Sequence, residues 1–86
     1  MNTYAIITFH NTHFALKAKK YFEKYGLKSD TIPVPREFSS ECGFCSKILW
    51  KDKNIAEEIM KKNKIIYESI YRWERDEKKE KKFNFV

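Results

Sequence analysis

Two glycines, two prolines and two cysteines are all that this 86-residue chain contains of each. No apolar run approaches the roughly 18 residues that span a bilayer, which excludes a transmembrane helix. Met1 runs almost directly into Tyr4-Ala5-Ile6-Ile7, too short for the apolar region of a secretory signal. The chain is therefore expected in the cytoplasm, with no membrane partner, where Cys42 and Cys45 stay reduced. Two cysteines in that compartment act as ligands, reactive groups or packing, rarely as a structural staple. The scarcity of glycine beside abundant Lys, Ile and Asn reads as a bias of composition and carries no function.

Large side chains take the place of what is missing. The length makes one small domain, near the lower end of what buries its own core, and an aromatic share of 16% supplies volume that the short chain otherwise lacks. The formal net charge is +6; residues 1–73 carry 13 Lys or Arg against 8 Asp or Glu. A basic body favours anionic partners, including nucleic acid and small oxyanions. Lysines spaced along helices also serve simply to keep a small domain solvated.

Along the chain, Thr3 to Phe9 is β-branched and aromatic and reads as a buried strand. Asn11 or Thr12 caps a helix whose stripe is Phe14, Ala18, Tyr21, Phe22 and Tyr25, ending at Gly26. Lys28 to Val34 reads as a second strand ended by Pro35, and Phe44 to Trp50 as a third. Asp52 caps a second helix with Ile55, Ala56, Ile59 and Met60 on its apolar face, closed by Asn63. Ile65 to Trp73 reads as a fourth strand with Tyr67, Ser69, Tyr71 and Trp73 on one side. Residues 74–86 form a mixed-charge tail that prolongs the last element, forms a short helix or takes no fixed structure.

The order β-α-β-β-α-β predicts an α+β, ferredoxin-like two-layer sandwich with an antiparallel sheet, over residues 3–73. In that arrangement the first and third strands are neighbours. The end of the first strand, the start of the first helix and Cys42-Gly43 then meet at one edge. The segment from Pro33 to Gly43 is expected to lie over the amino end of that helix, whose free amides and dipole favour an anion.

That segment, Pro-Val-Pro-Arg-Glu-Phe-Ser-Ser-Glu-Cys-Gly, is the most informative in the chain. Its prolines fix an extended approach, and it ends on a thiol beside a glycine. A thiol becomes nucleophilic as thiolate, which a helix N-terminus or a nearby cation stabilises. Cys42 has candidates for both in the Thr12 region and Arg36, with Ser39 and Ser40 as hydrogen-bond donors and His13 as a proton acceptor. Burial as a small hydrophobe is the other reading of Cys42, and both stay open on these grounds.

The Cys42-Gly43-Phe44-Cys45 spacing resembles a redox pair, but strand residues three apart point to opposite faces, roughly 10 Å apart, beyond disulfide reach. Cys45 is therefore expected in the core, with a second-thiol role kept only as an alternative. The same geometry counts against a zinc site built from His10, His13 and the two cysteines, so no metal or other cofactor is expected. RNA recognition is the rival class. Its aromatic signature belongs on the third strand, where Phe44 to Trp50 does not match it, so nucleic acid is not the expected partner.

The pattern Thr8-Phe9, Thr12-His13-x-Ala15-Leu16-x-Ala18, Gly26-Leu27 and Ile32-Pro33-Val34-Pro35-Arg36-Glu37-x-Ser39-Ser40-x-Cys42-Gly43 resembles a small bacterial domain family named for selenium/sulfur carrier-like proteins. The resemblance covers most of residues 3–73 and falls on Arg36, Ser39, Ser40, Cys42 and Gly43. Cys45 and the charged tail lie outside the pattern. The family name implies a cysteine that holds sulfur or selenium as a persulfide or selenosulfide, with a donor enzyme and an acceptor enzyme as partners. The expected function is thus a carrier, not a turnover catalyst, with Cys42 as its thiol. The alternative is a nucleic-acid- or protein-binding module in which Cys42 is structural.

Overall fold

A computed structural model describes residues 2–38 and 42–75 of the chain. In order it contains β1 (Asn2–Thr8), α1 (Thr12–Lys24), β2 (Asp30–Pro33), β3 (Phe44–Leu49), a 3-10 turn (Trp50–Asp52), α2 (Lys53–Lys62) and β4 (Ser69–Arg75). The four strands form one sheet in the order β2-β3-β1-β4, with antiparallel neighbours throughout. The expected adjacency of the first and third strands is present, with Ala5 opposite Ile48 and Ile7 opposite Ser46.

Both helices cover the same face of the sheet. Ala5, Ile7 and Ile48 alternate onto that face and join Ala15, Ala18 and Phe22 of α1 and Ala56, Ile59 and Met60 of α2 in one buried cluster. The alanines let helix backbone approach the strands closely, while Phe22, Phe9, Ile7, Ile48 and Met60 fill the layer. Each of these large side chains contributes about 1.5–3 kcal/mol through burial.

Side-chain chemistry sets the helix ends. Asn11 accepts from the Phe14 amide at 3.1 Å and starts α1. After α1, Gly26 sits at φ 77° while the Leu27 amide bonds the Phe22 carbonyl at 2.8 Å, a left-handed cap. The end of α2 repeats this with Lys64 at φ 56° and the Ile65 amide on Met60 at 2.8 Å. Asn63 adds a bond from Nδ2 to the Ile59 carbonyl at 2.8 Å.

Several boundaries differ from the sequence reading. The last strand begins at Ser69, because the cap after α2 and the turn through Ile65 to Glu68 use the residues before it. It runs on to Arg75, two residues into the expected tail, by pairing with Asn2 and Thr3. Trp50 opens the 3-10 turn instead of closing β3. Ile55, expected on the apolar face of α2, is 51% exposed, and Tyr25 is exposed at the end of α1. The rest of the tail, residues 76–86, lies outside the described residues.

Candidate functional site

Cys42 stands just before β3, where its amide donates to the Phe9 carbonyl at 3.3 Å. One residue after it, the Gly43 carbonyl accepts from the Val34 amide at 3.1 Å, so the two ends of the β2–β3 connection are tied together. This places Cys42 at the start of α1: its Sγ lies 3.7 Å from Thr12 Oγ1, and either atom can donate. Thr12 is the first residue of the helix. Asn11 takes up the Phe14 and Ala15 amides, which leaves the Thr12 and His13 amides outside the helix's own ladder. The thiol therefore sits beside the positive end of α1.

A family model described as "Putative Se/S carrier protein-like" matches residues 4–72. The chain belongs to this family. No curated protein and no solved structure matches it. The family match runs from within β1 to within β4 and includes the loop that delivers Cys42.

Of the two readings left open for Cys42 in the carrier-like domain, the structure agrees with burial: the residue is only 3% exposed and belongs to the buried cluster beneath the helices. The reason is the hydrogen bond that its amide donates to the Phe9 carbonyl, which draws the residue down onto the end of β1. Arg36 is exposed, and no hydrogen bond joins it to Cys42. His13 is exposed too, and its ring meets the edge of Phe14 at 5.5 Å. His10 lies 3.8 Å from the Glu68 carboxylate. Among the described residues no group of three His, Cys, Asp or Glu side chains is gathered for a metal. Ser39 and Ser40 lie outside the described residues. Gly43 does not adopt the left-handed region, and a Cβ there would meet open space, so neither backbone strain nor crowding requires glycine.

Cys45 is fully buried within β3, opposite Thr8 and Ile32. Alternation places it on the helix-free face of the sheet, with Ile6 and Thr8, while Cys42 belongs to the helix-side cluster. Neither cysteine is in a disulfide. Burial, with a smaller contribution from Cys42, pushes the Cys45 thiol up to about 11. Cys45 thus stays protonated at neutral pH.

A feature that the sequence reading missed lies on the helix-free face. The loop leaving β2 passes across the sheet to β4 at the opposite edge. There Phe38 stacks on Tyr71, with ring centroids 4.5 Å apart and planes 12° from parallel, and meets the edge of Trp73 at 6.3 Å. Trp73 Nε1 donates to the Glu37 carboxylate at 2.9 Å. So within the Pro33–Gly43 segment Cys42 lies by the α1 amino end, while Glu37 and Phe38 form a strap over the other side of the sheet. The signal available in sequence was the alternation of Tyr71 and Trp73 on one side of the last strand, which leaves two large rings needing a cover. No helix among the described residues is long and apolar enough to cross a membrane.

Proposed function

We propose that this domain is a sulfur or selenium carrier that holds the atom on Cys42 as a persulfide or selenosulfide. The observation that carries the reading is the placement of Cys42 Sγ 3.7 Å from Thr12 Oγ1, at the first turn of α1, within a chain of the carrier-like family. A thiolate or terminal sulfur anion gains there from the helix dipole, the first-turn amides and the Thr12 hydroxyl. In loading, the Cys42 thiolate attacks the outer sulfur of a donor's cysteine persulfide. The donor's S–S bond breaks, its cysteine leaves as thiolate, and the outer sulfur stays on Cys42; no net oxidation occurs. Unloading to an acceptor thiolate is the reverse exchange. Gly43, next to Cys42, adjoins the loaded sulfur, and Arg36, Ser39 and Ser40 are the further loop positions of the family pattern. The partners are a donor and an acceptor enzyme, and the cytoplasm is the compartment in which such a thiol stays available. The ferredoxin-like description, one domain over residues 3–73 followed by a tail, is supported by the βαββαβ order and the central β1–β3 pair.

The test is intact mass after incubation with a cysteine desulfurase and either cysteine or selenocysteine, from which the enzyme's own cysteine takes up the outer sulfur or selenium that it hands on, for the wild type and Cys42→Ser. The reading expects a gain of one sulfur or selenium atom in the wild type only. No gain from either donor removes its basis, and a gain that persists in Cys42→Ser assigns the wrong cysteine.

The near-complete burial of Cys42 favours a second reading, a protein- or nucleic-acid-binding module in which the thiol is structural. Its RNA version is weakened by Phe38, which occupies the face of Tyr71 that a base would stack on. Salt-dependent binding of single-stranded RNA that survives Cys42→Ser would favour this module over the carrier.

A further inference from the structure

Two contacts fix the rotation of α1 about its axis. Tyr25 faces α2, since the Lys62 ammonium lies 5.9 Å from its ring. Thr12 faces the start of β3, through its contact with Cys42. At about 100° per residue these two flanks are roughly 140° apart, and Leu16 falls about 40° from Thr12, one turn along the same flank. Leu16 is 57% exposed, although leucine gains most when buried. Phe44, two residues after Cys42, shares the helix-facing side of β3 with Ser46 and Ile48, yet it is 45% exposed. An exposed leucine on the helix and an exposed phenylalanine on the strand thus flank the point where Cys42 meets Thr12.

The charge around them has one dominant sign. Helix α1 carries Lys17, Lys19, Lys20 and Lys24 against the single acid Glu23, and no acid lies in its first turn. From this juxtaposition we infer that the flank of α1 bearing Leu16, together with Phe44, is the docking face for the sulfur-donating enzyme, which meets it with an apolar patch rimmed by acidic side chains. The inference rests on the carrier reading and specifies its partner surface. Apolar contact at Leu16 and Phe44 brings the donor's persulfide to the rim of the Cys42 site, and the lysines speed the encounter.

The experiment follows the appearance of sulfur on Cys42 by intact mass over time, with a purified cysteine desulfurase plus cysteine as one donor and glutathione persulfide as the other. The wild type, Leu16→Glu, Phe44→Glu and the exposed control Ile66→Glu, on the connection between α2 and β4, are compared. All three replaced side chains are more exposed than buried or nearly so, and circular dichroism verifies folding. The docking face predicts that Leu16→Glu and Phe44→Glu slow loading from the enzyme by about tenfold or more. Ile66→Glu loads as the wild type does, and all four load alike from glutathione persulfide. Equal enzyme-driven rates in all four proteins, equal slowing by Ile66→Glu, or a wild type that loads only from the small persulfide overturns the docking face and leaves the carrier reading standing. A wild type that loads from neither donor sinks the carrier reading and the docking face with it.

Discussion

Trp73 donates its indole N–H to Glu37 at 2.9 Å, joining the loop that leaves one edge strand to the strand at the opposite edge. Beneath the strap this creates, Cys45, Ile6 and Thr8 are fully buried on a face that carries no helix. With Cys42 buried on the other side, neither thiol is open to solvent in this conformation. Reaction at either sulfur therefore depends on local opening, whose frequency follows the contacts that must break.

Loosening the strap should raise thiol reactivity. Phe38→Ala removes the ring stacked on Tyr71, a contact worth about 0.5–1.5 kcal/mol beyond area burial. Native-state alkylation of Cys45 by iodoacetamide should accelerate by several-fold to about tenfold. Trp73→Phe, which keeps a ring but loses the donor, should give a smaller increase. Unchanged alkylation in Phe38→Ala would show that the strap does not control access.

The Glu37 carboxyl is held below the usual carboxylate range, first by a hydrogen bond from its own backbone and then by the Trp73 indole, with Arg75 adding to the effect. A depressed folded-state value means that the group favours the closed strap above its unfolded value. The contribution is lost as pH falls through the folded value. The indole N–H resonance of Trp73 should therefore shift on acidification below the usual carboxylate range, and Glu37→Gln should abolish that shift. A titration identical in the variant would assign the transition to another group.

Cys45, pushed up to about 11 by burial, is thiolate in only about one molecule in a thousand at pH 8. Native alkylation of Cys45 should therefore be slow at pH 8 and rise steeply between pH 8 and pH 10, read by peptide mapping. A raised thiol value also means that stability falls as pH rises above the unfolded value near 8.5, toward 11. Denaturation midpoints of the wild type should drop across that window more than those of Cys45→Ala.

The two helices end in the same left-handed cap, one on Gly26 and the other on Lys64. An L side chain in that region costs about 1 kcal/mol. Gly26→Ala should lower the unfolding free energy by about 1 kcal/mol, although its Cβ would meet nothing within 4 Å. Lys64→Gly should raise it by about 0.5 kcal/mol, because the relief of strain exceeds the added freedom of the unfolded chain. Equal effects of the two substitutions in urea melts would contradict the cap assignment.

Much of the architecture was legible because it is local. The Asn11 cap, the α1 stripe through Ala18 and Phe22, the left-handed Gly26 and the alternation of Tyr71 and Trp73 each follow from neighbouring residues. So does the placement of Cys42 by Thr12, once the first and third strands are taken as neighbours. Ile55 misled because its position on the α2 stripe does not say how far the core extends beneath it. The start of β4 was misplaced because Ile65 closes the α2 cap, a role that an apolar residue before a strand does not announce.

The sequence by itself thus determined an α+β chain with a proline-led loop and a cysteine at the end of that loop. Only the tertiary structure decided how exposed the thiol is and where the loop runs. The Cys42 amide finds its partner on Phe9, 33 residues earlier, and Phe38 finds Tyr71, 33 residues later. Prolines fix the direction in which a loop departs. The surface it lands on depends on which unsatisfied groups the assembled sheet offers.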